Sequence, residues 1–145
     1  MSGRRRHRRR EPPVFINGLA DAVSTAMEMV DRFTRGHGVV VTDSSGVLLE
    51  VVVFTGEEHT AEDAIRAGIH LRAHHPRASR ILLVSALDDV DVRTPTELDV
   101  DMWWDTVERF RAAGLELWEW IVTSNEVIRS LSMTAKTEFS WRSPP

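Results

Sequence analysis

Between Gly38 and Phe54 the apolar pattern abandons helical spacing: Val39-Val40-Val41-Thr42 and Val47 to Phe54 flank the tetrapeptide Asp43-Ser44-Ser45-Gly46. β-Branched runs on either side of a four-residue turn ending in glycine predict a β-hairpin. The stretches around it have helical period, so the chain is neither all-helical nor all-β. Upstream, Asn17 reads as an N-cap, and Leu19, Val23, Ala26, Met27, Val30 and Phe33 recur at helical spacing. Gly36 stands where a C-cap glycine belongs.

Downstream, Thr60 and Asp63 form an approximate capping box for a helix over Ala61–Ala73, which presents Ala61, Ala64, Ile65, Gly68, Ile69 and Leu71 and is stopped by Pro76. Arg80 to Ser85 is a short, nearly all-apolar run, as expected of a strand covered on both faces. An acidic loop follows from Asp88 to Arg93. Thr94-Pro95-Thr96-Glu97 then reads as a helix start, with an N-cap threonine, a proline at the first helical position and a glutamate three residues after the cap. This helix carries Leu98, Met102, Val107 and Phe110 and ends at Gly114; strands are expected at Leu115–Val122 and Glu126–Leu131. The order α-β-β-α-β-α-β-β predicts a single-domain α/β sandwich with a mixed central sheet and flanking helices. Residues 14–132 are expected to form that domain, with a disordered basic arm predicted at 1–13 and an irregular tail at 133–145.

A length of 145 residues suits one core, and 42% hydrophobic with 28% charged residues is ordinary globular composition. There is no cysteine. That removes disulfide scaffolds, thiol nucleophiles and cysteine-ligated metals, and makes the cytoplasm the expected location. No apolar run approaches the ~20 residues that span a bilayer, and nothing after the basic start reads as a secretory signal.

The buried strand, the loop and the proline-started helix resemble the JAMM (JAB/MPN) metalloprotease domain, in its bacterial RadC-like branch. That family has a strand ending in His-x-His, then seven residues, then Ser-x-x-Asp opening a helix. Ile81–Ser85 looks like the strand, Thr96-Glu97-Leu98-Asp99 is similar to the Ser-x-x-Asp, and Leu115 to Trp120 occupies the following strand. Counting back from Thr96 places Ala86 and Asp88 where the two histidines belong. The glutamate that acts as general acid/base in the family should fall near Gly36–Val39, where no carboxylate stands. Ala86, Asp88, Thr96 and Asp99 would thus be vestigial motif positions. Catalytic zinc needs about three protein ligands and a water. Two carboxylates without nitrogen ligands suit zinc poorly. The resemblance therefore implies a relative without catalytic residues or a catalytic metal, kept for binding, and no cofactor is expected.

Other constellations are weaker. His70 and His74 are four apart on the predicted helix, the spacing at which one face presents two metal ligands, but Arg72 and Arg77 disfavour a cation there. Glu57, Glu58 and His59 are the nearest candidates in sequence for a third ligand. The acidic residues Asp88, Asp89, Asp91, Glu97, Asp99 and Asp101 lack the glycine and distal glutamate of an EF-hand loop. Gly36-His37-Gly38 is too short for a phosphate loop, and no Gly-x-Ser-x-Gly elbow occurs. Of the five tryptophans, Trp103, Trp104, Trp118 and Trp120 are the candidate partner contacts. Trp103 and Trp104 are adjacent on a helix and cannot both face the core centre; Trp118 and Trp120 are expected on one strand face; Trp141 lies in the tail.

Charge is split. Arg4, Arg5, Arg6, Arg8, Arg9 and Arg10 give the first ten residues +6, leaving −10 on the other 135 to make the net −4. Such an arm can neutralise phosphates without reading sequence. The function expected is a non-catalytic binding or assembly module with a protein partner. One alternative is an accessory protein tethered to RNA or DNA by its arm; another is a metal-dependent hydrolase with an unrecognised His/Asp site.

Overall fold

Val39, Val40 and Val41 are consecutive and all fully buried, which a strand allows only when both of its faces are covered. A computed structural model describes residues 14–30, 35–56, 58–87, 97–124 and 127–132. The elements are α1 (Leu19–Val30), β1 (Gly36–Thr42), β2 (Leu48–Thr55), α2 (Ala61–His74), β3 (Arg80–Ala86), α3 (Glu97–Ala112), β4 (Glu116–Ser124) and β5 (Val127–Ser130). The strands form one sheet in the order β2-β1-β3-β4-β5. β1 is antiparallel to both β2 and β3, β3 is parallel to β4 through the α3 crossover, and β5 returns antiparallel to β4. The mixed sheet and the element order are those expected from the pattern of periods.

Alternation along the strands fills two cores. Val39, Val41, Ile81, Leu83 and Val122 pack with Ile65 and Leu71 of α2 and Trp103 and Phe110 of α3. Val40, Leu82, Val84 and Ile121 point the other way, against Ala22, Ala26 and Met29 of α1. The result is a helix–sheet–helices sandwich. Among the described residues no helix is long and apolar enough to cross a membrane.

Several local expectations are corrected. Asn17 is not an N-cap: the helix begins two residues later, and Asn17 uses its backbone N–H, donating to the Asp21 carboxylate at 3.0 Å. The inward face of α1 is set by Ala22, Ala26 and Met29, leaving Leu19 40% exposed. Gly36, expected as a C-cap, opens β1 opposite Thr55, where a Cβ would stand 2.3 Å from the Phe54 carbonyl oxygen. Met102 is 41% exposed and Trp103 takes the inward position next to it. Gly114 does follow the end of α3, at φ +81°, and the Leu115 N–H donates back to the Phe110 carbonyl at 2.9 Å. The N-cap expected at Thr94, the acidic loop from Asp88 to Arg93, and Phe33 lie outside the described residues.

Candidate functional site

Among the described residues, β4 is paired along both sides for only part of its length. Its whole length from Glu116 to Thr123 pairs with β3, but β5 pairs only with Ile121–Ser124. Among the described residues, Glu116–Trp120 therefore has a strand on one side only. The register slips between Ile81↔Leu117 and Leu82↔Glu119, so Trp118 is the extra residue of a β-bulge. The bulge reverses the alternation at that point. Trp120 packs into the α2/α3 core and Trp118 against the α1 side. The expectation that Trp118 and Trp120 share one face is thus corrected: the added residue turns them apart.

Beside this edge lies a cleft of about 390 Å³ between α3 and the start of β4. Trp103, Trp104, Val107, Leu117 and Trp118 supply its apolar walls, and Arg111 and Glu116 its charged rim. The Arg80 guanidinium stands 5.6 Å from the centre of the Trp118 ring, within cation–π range. Of the four tryptophans expected to contact a partner, Trp104 is 40% exposed and Trp118 half-buried, whereas Trp103 and Trp120 are 4% and 2% exposed and belong to the core. A surface of this kind accepts an apolar side chain and offers backbone groups to an extended chain.

The open edge is closed below by a carboxylate. Glu119 is 5% exposed. Its Oε1 accepts from the Trp120 and Ser132 N–H groups at 2.9 and 3.2 Å, and its Oε2 from the Ser132 hydroxyl at 2.6 Å. Those three donors satisfy the buried carboxylate.

A second polar group, which sequence reasoning missed, crosses the sheet near the end of β3. His37 of β1 faces Ser85 of β3 in register, with Nδ1 and Oγ 2.8 Å apart, and the Trp120 indole N–H donates to the same Oγ at 3.0 Å. Burial holds the His37 pKa below its usual value; the charges of Arg35 and His59 act in the same sense and Asp63 opposes them. Nearby, His59 lies 3.2 Å from the Asp63 carboxylate, which also accepts from the Thr60 N–H at 2.9 Å. Those contacts hold Asp63 below the usual carboxylate range, the Thr60 bond foremost. Ser85 and His37 have the spacing of a nucleophile and its base. Yet Ser85 is 4% exposed and already accepts from Trp120, so the group serves as a tie between three strands.

The positions that the resemblance singled out are placed only in part. Ala86 ends β3, is 2% exposed, pairs with Gly36 and packs in the α1-side core. Asp99 falls in the first turn of α3. Asp88 and Thr96 lie outside the described residues, as do the six arm arginines and Trp141. His70 and His74 are exposed on α2, far along the helix from Glu58 and His59, and Glu57 is outside the described residues. Among the described residues no three His, Asp or Glu side chains converge as metal ligands. The chain matches no protein-family model and no curated protein.

Proposed function

We propose that this chain is a non-catalytic, JAMM-like binding module whose docking surface is the cleft beside Glu116–Trp120. The observation that carries the reading is that, among the described residues, β4 is paired on one side only along Glu116–Trp120, beside the cleft that Trp118 helps to line. An extended segment of a protein partner adds to this edge through its backbone and inserts an apolar side chain between α3 and the strand. Arg111 and Glu116 at the rim, both exposed, set its orientation. The absence of an imidazole at Ala86, which packs as a core residue, supports a role without metal catalysis at that end of β3.

The test places a photo-crosslinking residue at Glu116, in otherwise wild-type protein and in Trp118→Arg. Binding here predicts a discrete crosslinked protein band that disappears in the Trp118→Arg background while the fold, followed by circular dichroism, is kept. The same bands from both proteins would overturn the reading.

A further inference from the structure

The last turns of α2 present two imidazoles to solvent. His70 and His74 are both exposed, with ring centroids 4.7 Å apart and planes tilted by 48°. Two imidazoles bound to one ion in adjacent positions place their centroids roughly 4.5–5 Å apart, given metal–nitrogen bonds of about 2.0–2.1 Å. The ring centroids therefore stand within the range that a shared ion allows. The flanking arginines, an objection to a cation here on sequence grounds, are turned to other partners. The Arg77 guanidinium donates to Asp43 at 2.7 Å, Arg72 to the Pro76 carbonyl at 3.3 Å, and Arg66, one turn before His70, to Glu62 at 3.1 Å. A positive charge at the carboxyl end of a helix is also favoured by the helix dipole.

We propose that His70 and His74 form an exposed chelate for a divalent transition-metal ion, copper(II) above all. Imidazole suits copper, nickel and zinc, copper(II) stands highest in affinity for such ligands, and its tetragonal geometry takes two nitrogens in adjacent positions. His59 does not complete the site: it precedes the first residue of α2, roughly 16 Å along the axis from His70. With two protein ligands and water in the remaining positions, the ion exchanges with solvent, unlike one in a closed four-ligand structural site. The site is separate from the β4 cleft and does not depend on it.

Titrating the full chain with copper(II) chloride while following the histidine ring proton resonances tests this. At substoichiometric copper the His70 and His74 signals should broaden ahead of those of His59 and His75, whose rings lie against Asp63 and Glu50. His70→Ala and His74→Ala should each weaken binding at this site by roughly tenfold or more, and the double variant by little beyond either, because one imidazole alone is no chelate. Both side chains are exposed, so the variants should melt as wild type does. If His74→Ala leaves both the copper affinity and the broadening of His70 unchanged, the proposal is wrong.

Discussion

Ser85 has one proton and two lone pairs, and its neighbours use them unequally. The Trp120 indole can only donate, so it takes a lone pair. The proton and the second lone pair remain for His37 Nδ1, which stands 2.8 Å away and accepts or donates according to its tautomer. Ser85→Ala removes both bonds inside the sheet and should cost about 1–3 kcal/mol in urea unfolding, the penalty for leaving buried donors and acceptors unpaired. Unchanged midpoints would show that water replaces the hydroxyl. His37 gives a pH signature as well. Its folded pKa lies below the 6.5 of the unfolded chain, chiefly through burial. Between the two values the unfolded state binds the extra proton, so stability falls as pH drops below 6.5 and is unaffected by this group above it. Urea titrations from pH 5 to 8 should show a steeper acid loss in wild type than in His37→Gln, the other histidines cancelling in the difference. Parallel slopes would sink the assignment. None of this was legible in the sequence. His37 and Ser85 are 48 residues apart, and only the register of β1 on β3 brings them together. Gly36-His37-Gly38 carries no local sign of the partner.

At the scale of elements, periods were legible where side chains alone decide the structure. The hairpin is an example: the Asp43 carboxylate accepts from the Ser45 and Val47 N–H groups at 2.8 and 3.0 Å, the turn chemistry that its sequence announces. The bulge at Trp118 was only half legible. Consecutive Leu117 and Trp118 break the alternation that runs through Leu115-Glu116-Leu117 and again through Trp118-Glu119-Trp120, but two apolar neighbours read equally as a strand covered on both faces, and the slip is fixed by how β4 is laid on β3. Glu119 shows the consequence, because its carboxylate replaces a strand partner for the Trp120 N–H and anchors Ser132 after β5. Glu119→Ala should destabilise the chain by about 2–3 kcal/mol, since three donors lose one buried acceptor. The loss should concentrate at the β4–β5 end, read as faster amide hydrogen exchange at Trp120 and Ser132 than at Val40 or Leu83. Uniform exchange changes would mean that Glu119 contributes generally and is no local clasp. Between the helices, Gly68 of α2 has no such latitude: a Cβ there would meet Phe110 at 3.0 Å and Val39 at 3.2 Å. Gly68→Val should cost about 1–3 kcal/mol by overpacking, against the small helix-propensity gain that a side chain brings on an exposed face. An unchanged melting temperature would show that Phe110 has room to move.

Over the whole molecule the class of fold followed from the order of periods, but the sheet order did not, because pairing of β1 with both β2 and β3 is a long-range choice that no local pattern records. Charge distribution is different: it is a property of the full chain and fully legible. Six arginines lie within residues 4–10, before Pro12 and Pro13, and −10 lies on the other 135 residues. Opposed charges of that size on one chain have two outlets, an external polyanion or the chain's own acidic surface. Guanidinium groups bind phosphates with release of counterions, so full engagement of six on duplex DNA gives a log–log salt slope of about −5. The acidic remainder repels the same polyanion, so the chain lacking residues 1–13 should show no binding to labelled RNA or duplex DNA at any salt concentration. Its thermal stability should be nearly that of the full chain, because a run of arginines brings little apolar area to bury. Fluorescence anisotropy at several salt concentrations, on full-length and shortened chains, separates the outlets. Equal binding by both, or none by either, removes nucleic acid as a partner. A shortened chain that melts many degrees lower instead assigns the arginines to the acidic surface of the domain, where they would screen its self-repulsion and weaken in salt by the same counterion physics.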